Sequence, residues 1–298
     1  MTSLVARSCL TFAVGAVLAT TLACSGADTA PPVATVSFTP SKTRVALGSP
    51  IDLTYRFDVA TDAALTGDYT VFVHVKNPEG QTLFTDDHAP SVPTSQWQPG
   101  QKIEYTRTRF IPVVPYLGTA NVEVGLYRSD ERLPLQGPDP ANRESTSRSY
   151  KVAALELLPT TENLFIIYKS GWHPDEFSAD DATRSWKWTQ KSAVLSVRNP
   201  KSDVTLYLEY DARPDLFGAE PQQVTVLAGD QVVTTFAADS DATRLLRIPI
   251  TAAQLGDGEM AELRLDVSKT FIPAALPAGG RDTRELGIRV YHAFVESR

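Results

Sequence analysis

One loop of the sequence carries four side chains that could recognise or transform a ligand: Trp172, His173, Asp175 and Glu176. An indole ring can stack on a sugar, and neighbouring carboxylates can accept hydrogen bonds from the sugar hydroxyl groups. A glycan-binding loop can have this combination, because binding residues are often carried by loops on a rigid scaffold. The favoured interpretation is a loop in which Trp172 plugs the end of a β-sandwich while the acids face solvent.

Two further tryptophans, Trp186 and Trp188, are two positions apart in a run with strand character, so their side chains should share one face. On an exposed face they would form a platform for sugar stacking, and on a buried face they would be core. The core interpretation is favoured, because one face of every sandwich strand is buried. Both are candidate ligand-binding residues, together with the four residues of the loop.

Catalysis has little support in the sequence. The motifs G-x-S-x-G, the P-loop and H-E-x-x-H are absent. Asp175 and Glu176 could serve glycoside hydrolysis, but one flexible loop does not set the carboxylate separation that this reaction needs. Asp239–Asp241 and Asp257–Glu259 lack the full set of alternating ligands of a calcium loop. We therefore expect a non-catalytic protein without metal or cofactor.

Two histidines of the first half are also weighed as ligands. His74 shares a strand face with Phe72, which indicates a packed and hydrogen-bonded side chain. His88 follows Asp86 and Asp87 at a strand end, which indicates a solvated turn. A metal site needs three or four converging ligands, and these positions do not predict one.

The pattern after residue 33 is that of β-strands almost throughout, with short runs rich in Val, Ile, Thr, Tyr and Phe between turn residues. Asn77–Gly80 and Gly229–Asp230 predict tight hairpins. Thr251–Gln254 has the spacing of a capping box, and Gly256 can end the short helix that it begins.

Two longer runs are predicted as single strands, Ser185–Val197 and Leu286–Val295. In the second run, alternation places Leu286, Ile288, Val290 and Phe294 on the core face.

Length and composition allow two domains of ordinary size. The chain has 298 residues, 42% of them hydrophobic, and a formal charge of -7. The acidic balance, without a basic stripe, argues against nucleic-acid binding. We predict an all-β protein with two tandem antiparallel β-sandwiches, immunoglobulin-like or jelly-roll-like. Residues 1–23 are a signal peptide, 24–32 a lipidated tether, 33–158 the first domain and 159–298 the second.

The amino terminus has the order of a secretory signal. Arg7 precedes an apolar run over residues 10–23, which ends at Cys24. The segment resembles a bacterial lipoprotein signal with Cys24 as the lipidated residue, although Thr21 stands where such signals usually carry Leu. The alternative is ordinary secretion with a cut before Asp28. Lipidation would anchor the protein outside the cytoplasm, and Ser25 favours the outer membrane if the cell has two membranes.

Several short motifs resemble β-sandwich modules of bacterial envelope proteins that are associated with membrane glycosyltransferases. In the first half these are FVHV (72–75), EGQ (79–81), DDHAP (86–90), WQPGQ (97–101) and VEVGLYRSDERLPL (122–135). In the second half they are GWHPDE (171–176), WKW (186–188), TFIPA (270–274) and RELGIRVY (284–291). The resemblance implies an envelope setting near glycans and assigns no catalytic residues.

We therefore expect a membrane-anchored envelope lipoprotein that binds or organises cell-surface glycans or partner proteins. One alternative is a structural or assembly protein that acts only through protein–protein contacts. A less favoured alternative is a glycan-active hydrolase that uses the loop around His173.

Overall fold

The computed structural model describes residues 30–138, 147–180, 184–277 and 280–298. It confirms the all-β prediction: four sheets form two sandwiches, and within these residues α-helix is limited to one short segment. The predicted signal peptide and Cys24 lie outside the described residues. None of the helices in the described part of the chain is long and apolar enough to cross a membrane.

The first sandwich contains β1 (Ala34–Pro40), β2 (Arg44–Ala46), β3 (Pro50–Val59), β4 (Thr70–Lys76), β5 (Thr82–Thr85), β6 (Lys102–Phe110), β7 (Gly118–Arg128), β8 (Glu131–Arg132), β9 (Leu135–Gln136) and β10 (Tyr150–Leu158). One sheet has the order β6-β3-β1-β9. The other has the order β2-β10-β7-β4-β5, with β8 paired to β7. The pairing is antiparallel except for β1 with β9 and β2 with β10, which are parallel.

The second sandwich contains β11 (Ile166–Tyr168), β12 (Glu176–Phe177), β13 (Ser185–Trp188), β14 (Ser192–Arg198), β15 (Val204–Asp211), β16 (Gln222–Ala228), β17 (Gln231–Ala238), β18 (Arg244–Ile250), α1 (Ala252–Leu255), β19 (Met260–Val267) and β20 (Arg289–Ser297). Its sheets have the orders β11-β14-β19-β16-β17 and β12-β13-β20-β15-β18. The described pairs in both sheets are antiparallel.

Each sandwich encloses its own apolar core, which alternation along the strands supplies. In β3, the side chains of Leu53, Tyr55 and Phe57 are buried while those between them are partly exposed. In β15, Leu206 and Leu208 are fully buried in the second core. Burial of one face per strand is the main favourable contribution to the stability of such a fold.

The local turn predictions are confirmed. The hairpin at Asn77–Gly80 joins β4 and β5, and Gly80 has the positive φ of +83° that its turn requires. Gly229, with a φ of +57°, lies in the hairpin between β16 and β17. α1 has a complete capping box between Thr251 and Gln254, and its C-cap is Gly256.

The prediction of one strand over Ser185–Val197 is wrong. The run divides into β13 and β14, which belong to opposite sheets of the sandwich. The crossing lies at Thr189–Lys191, where the Thr189 hydroxyl accepts a hydrogen bond from the Ile288 amide at 3.0 Å. The crossing contains neither Gly nor Pro, so it has no strong turn signal in the sequence.

The predicted core position of Phe294 is also wrong. The pairing of β15 with β20 contains a β-bulge. Glu209 pairs with His292, but the next residue of β15, Tyr210, pairs with Val290, so β20 has one extra residue at this point. This bulge at Tyr291 reverses the alternation, so the following core positions are odd-numbered. Phe294 therefore lies on the outer face of its sheet, partly exposed.

His88 is buried rather than solvated, contrary to the prediction. A backbone bridge to Val71 continues the sheet beyond β5 and carries the ring inward. Its Nδ1 lies 2.7 Å from the Asp86 carbonyl oxygen, and its Nε2 lies 2.9 Å from the Tyr105 hydroxyl. Burial lowers the pKa of His88 below its usual value.

The two sandwiches contact each other through the outer face that carries Phe294. The Phe110 ring stacks on His292 with centroids 4.0 Å apart, and it also meets Phe294 edge-on. Lys42 Nζ lies 2.6 Å from a carboxylate oxygen of Glu296. Aromatic and ionic contacts thus join β6 and the segment after β1 to β20 of the second sandwich.

Candidate functional site

The loop predicted to bind a ligand folds back along one edge of the second sandwich. β12 pairs antiparallel with β13, which places Glu176 opposite Trp186. Further upstream the amide of His173 donates to the Trp188 carbonyl oxygen at 2.9 Å. Backbone hydrogen bonds at both ends of the loop therefore position its side chains against β13.

Gly171 permits the close approach at the start of this loop. Its φ is +80°, and a Cβ atom there would lie 1.8 Å from the carbonyl oxygen of Ser192. Its own carbonyl oxygen accepts a hydrogen bond of 2.8 Å from the Gln190 amide. Both the backbone conformation and the space require glycine.

Asp175 lies on the sandwich side of β13. Lys187 pairs with the core residue Val290, so its side chain points to this side. The Lys187 ammonium lies 2.6 Å from Asp175 Oδ2 and 5.2 Å from the centroid of the Tyr168 ring.

Trp172 also belongs to the sandwich side. Its ring packs against the second core and meets Tyr168 edge-on at 4.9 Å, and its indole N–H donates to the Val194 carbonyl oxygen at 2.8 Å. Trp172 thus closes the side of the sandwich between β11 and β13.

Glu176 and Trp186 meet on the outer side of β13. Glu176 Oε2 accepts a hydrogen bond of 3.2 Å from the Trp186 indole N–H, and its Oε1 lies 2.7 Å from Arg284 Nη2. The same guanidinium lies 2.6 Å from Asp282 Oδ2. The hydrogen bonds from Arg284 lower the pKa of Asp282 to about 2, so this carboxylate stays ionised at neutral pH.

Arg289 lies between the two tryptophans of β13. Its Cζ atom is 5.4 Å from the centroid of Trp186 and 5.6 Å from that of Trp188, within the range of cation–π contact. Its guanidinium donates two hydrogen bonds of 2.6 Å to Asp211, whose side chain is 2% exposed. The Tyr291 hydroxyl donates to the same carboxylate at 2.7 Å.

Trp188 is covered by the chain that precedes β20. It is only 7% exposed, and Phe271 meets its ring edge-on at 5.6 Å. Together with Leu286 these rings form a small apolar cluster outside the main core. Trp186 is half-buried, so it keeps the exposed aromatic surface of the pair.

The remaining rim of the site is polar. The Arg184 guanidinium lies over the Tyr291 ring at 4.6 Å and donates to the Thr243 hydroxyl at 2.7 Å. On the other flank, His173 Nε2 lies 2.7 Å from the Glu285 carbonyl oxygen. The site therefore combines guanidinium groups, carboxylates and part of an indole.

This chemistry suits stacking and hydrogen bonding. Asp175 and Glu176 each lie within an ion pair, with Lys187 and Arg284 respectively. Within the described residues, no group of three or more His, Cys, Asp or Glu side chains is arranged to hold a metal ion.

The six predicted residues are gathered at one sheet edge but divided between its two sides. Glu176, Trp186 and Trp188 lie outward, whereas Trp172 and Asp175 lie toward the sandwich. Sequence reasoning missed four contributors: Asp211, Arg284, Arg289 and Tyr291. The last three fall within or at the end of the RELGIRVY motif, where charged residues interrupt an apolar run, and this interruption was the available signal.

No protein-family profile and no curated protein sequence matches the chain. Among solved structures, it is similar to β-glucuronidase 2 of Bacteroides uniformis, at 10% identity, a TM-score of 0.28, and coverage of 86% of this chain and 28% of the other. It is similar to the M60 catalytic domain with CBM51 domains of Clostridium perfringens ZmpB, at 7% identity, a TM-score of 0.21, and 82% and 34% coverage.

A third structure is the alkylpurine DNA glycosylase AlkC of Pseudomonas fluorescens, at 15% identity, a TM-score of 0.27, and 43% and 31% coverage. The chain thus spans about a third or less of the length of each of these three solved structures. TM-scores this low establish neither a shared fold nor a shared activity. The resemblance to glycosyltransferase-associated modules remains a prediction.

Proposed function

We propose that the protein is a non-catalytic lipoprotein of the bacterial cell envelope, tethered through Cys24, and that it binds glycans at the outer side of β12 and β13. The observation that supports the site is the pairing of Glu176 with Trp186, which places a carboxylate, a guanidinium and a half-buried indole side by side. Sugar recognition uses the same elements: an aromatic surface with adjacent hydrogen-bonding groups.

The binding surface consists of few groups. Trp186 supplies the apolar contact, because Trp188 is covered. Glu176 and Arg284 supply an acceptor and donors, and Arg184 and Tyr291 extend the surface on the other side of Trp186. Because these charged groups are already paired, they are held in place before a ligand arrives, which lowers the entropic cost of binding.

Lipidation of Cys24 is tested by labelling. Cells that express the protein are fed an alkyne-bearing fatty acid, and the mature chain is analysed by mass spectrometry. We expect acyl groups on Cys24 as the first residue, and complete loss of the label in Cys24→Ala. An unmodified thiol at Cys24 in protein recovered from the culture medium would refute the tether. Two or more acyl chains give attachment that is stable on the timescale of the cell.

Glycan binding is tested with Glu176→Gln. This change keeps the size of the side chain and an acceptor for the Trp186 indole, but it removes the charge. On an array of bacterial envelope glycans, we expect retention of the wild type and a loss of affinity of about tenfold in the variant, as for one hydrogen bond to a charged group.

The matched control is Glu262→Gln, which removes an exposed carboxylate paired with Lys169 at 2.6 Å on the opposite sheet. Its affinity should equal that of the wild type. No retention on any glycan, together with capture of envelope proteins, would favour the assembly alternative. Release of sugar that Glu176→Gln abolishes would instead establish a hydrolase.

A further inference from the structure

A cleft of about 760 Å³ enters the first sandwich where the edge strands β5 and β6 face each other across the two sheets. Its inner walls are core side chains, among them Phe38, Leu53, Val73, Val75, Leu83 and Phe84. Volumes of this size and mostly apolar walls are typical of small-molecule sites. The cleft lies in the other sandwich from the proposed glycan site, so it calls for a separate explanation.

Next to the cleft, β6 carries charged residues on its inner face. Arg109 and Arg107 pair with the core residues Ile51 and Leu53, so all four side chains leave their strands toward the interior. A guanidinium without partners is costly in an apolar layer. Both heads extend instead to Asp86 at the edge, and the space between the sheets beside them stays unfilled.

The polar groups at the cleft carry an excess positive charge. Asp86 is almost fully buried, with Arg109 Nε at 2.9 Å, Arg107 Nη2 at 3.3 Å and the Tyr55 hydroxyl at 3.3 Å. One carboxylate therefore faces two guanidinium groups. The ring of His88 contacts the Asp86 backbone and is neutral at pH 7, because burial lowers its pKa.

The hydrogen bonding of Arg107 is incomplete. Its Nε atom is buried and has no hydrogen-bond partner among the described residues. The cluster around Asp86 therefore has more donors than acceptors. Arg109 lines the cleft and is 45% exposed at its rim, so a ligand in the cleft would reach this cluster through Arg109.

The outer end of the cleft is apolar and is shared between the two sandwiches. Phe110 and Val113 line it on the first sandwich, and His292 lines it from β20 of the second. The His292 ring stacks on Phe110, and its Nδ1 lies 2.6 Å from Glu209 Oε2, so two contacts hold the ring in place. The walls of the cleft are thus apolar along its length, and guanidinium groups lie at one side.

We propose that this cleft binds a single-chain amphiphile with an anionic head, such as a long-chain carboxylate. The alkyl chain lies between the two sheets against Val75 and Leu83, and the head lies at Arg109. The excess guanidinium selects the anionic head over a neutral or cationic one. The apolar walls select a long chain over a small anion.

The test uses the full chain as exported by bacterial cells, purified without charged detergent. A hexadecanoic acid probe with a photoreactive group and an alkyne is crosslinked to the protein, and the modified peptides are identified by mass spectrometry. We expect crosslinks to the peptides that carry Leu83, Phe84 or Val113. Unlabelled hexadecanoate should displace the probe, whereas hexadecanol and butyrate at the same concentration should not.

Arg109→Gln should weaken labelling at least tenfold, because Arg107 remains to pair with Asp86 while the ligand loses a charged donor. The matched control is Arg56→Gln, which removes a guanidinium paired with Asp58 at 3.1 Å on the outer face of β3. Its labelling should equal that of the wild type.

Leu83→Trp is a second, independent variant, since it fills the cleft and leaves both arginines in place. It should abolish crosslinking, and it remains a test of the proposal if Arg109→Gln does not fold. Crosslinks that map outside the cleft, or equal competition by hexadecanol, would overturn the proposal. Unchanged labelling of Leu83→Trp would overturn it as well.

Discussion

Replacement of Asp211 by Ala is expected to destabilise the second sandwich by about 3 kcal/mol. Asp211 is 2% exposed and receives two hydrogen bonds from Arg289 and one from Tyr291. Without it, the Arg289 guanidinium remains between Trp186 and Trp188 with no counter-charge. Removal of one partner of a buried pair costs more than the pair contributes, because the remaining charge stays desolvated.

The measurement is guanidinium chloride unfolding followed by tryptophan fluorescence, which reports mainly on the second half because three of the four tryptophans lie there. The matched control is Asp215→Ala, which breaks the pair with Arg213 at 2.8 Å, where both side chains are well exposed. The free energy of unfolding should fall by less than about 1 kcal/mol in this control. Equal effects of the two changes would show that the Asp211 cluster does not stabilise the fold.

The features that the sequence predicts depend on residues close together in the chain, whereas those that it misses depend on residues far apart in the chain. The hairpin at Gly229 and the capped helix at Thr251 depend on residues within four positions of one another, so their patterns are complete in the sequence. The division of the run Ser185–Val197 depends on Ile288, about a hundred residues away, which holds Thr189 at the crossing. No local pattern contains that partner.

The candidate site follows the same rule. The sequence identified Trp186 and Trp188 as neighbours on one face, since this follows from strand geometry alone. It did not identify Arg289 between them, because β13 and β20 are adjacent only in space. The bulge at Tyr291 is a single-residue irregularity without Gly or Pro, and it moves Phe294 from the core to the contact between the sandwiches.

Replacement of Gly171 by Ala is expected to destabilise the second sandwich by about 3 kcal/mol and to weaken glycan binding. A left-handed backbone costs an alanine about 1–2 kcal/mol. The new Cβ would also lie 1.8 Å from the Ser192 carbonyl oxygen, a backbone atom that is held within β14, so the loop must move. Overpacking of this kind adds about 1–3 kcal/mol.

The matched control is Gly229→Ala. Gly229 has a φ of +57° in a hairpin of the same sandwich, but a Cβ there would have no atom within 4 Å. Its cost is therefore the conformational term alone, about 1 kcal/mol. Chemical denaturation of both variants gives the steric contribution of Gly171 by difference. The loop begins at Gly171 and places Glu176 beside Trp186. We therefore expect that only Gly171→Ala also lowers retention on the glycan array. Equal stability losses in the two variants, with unchanged retention, would mean that the loop accommodates the methyl group without moving Glu176.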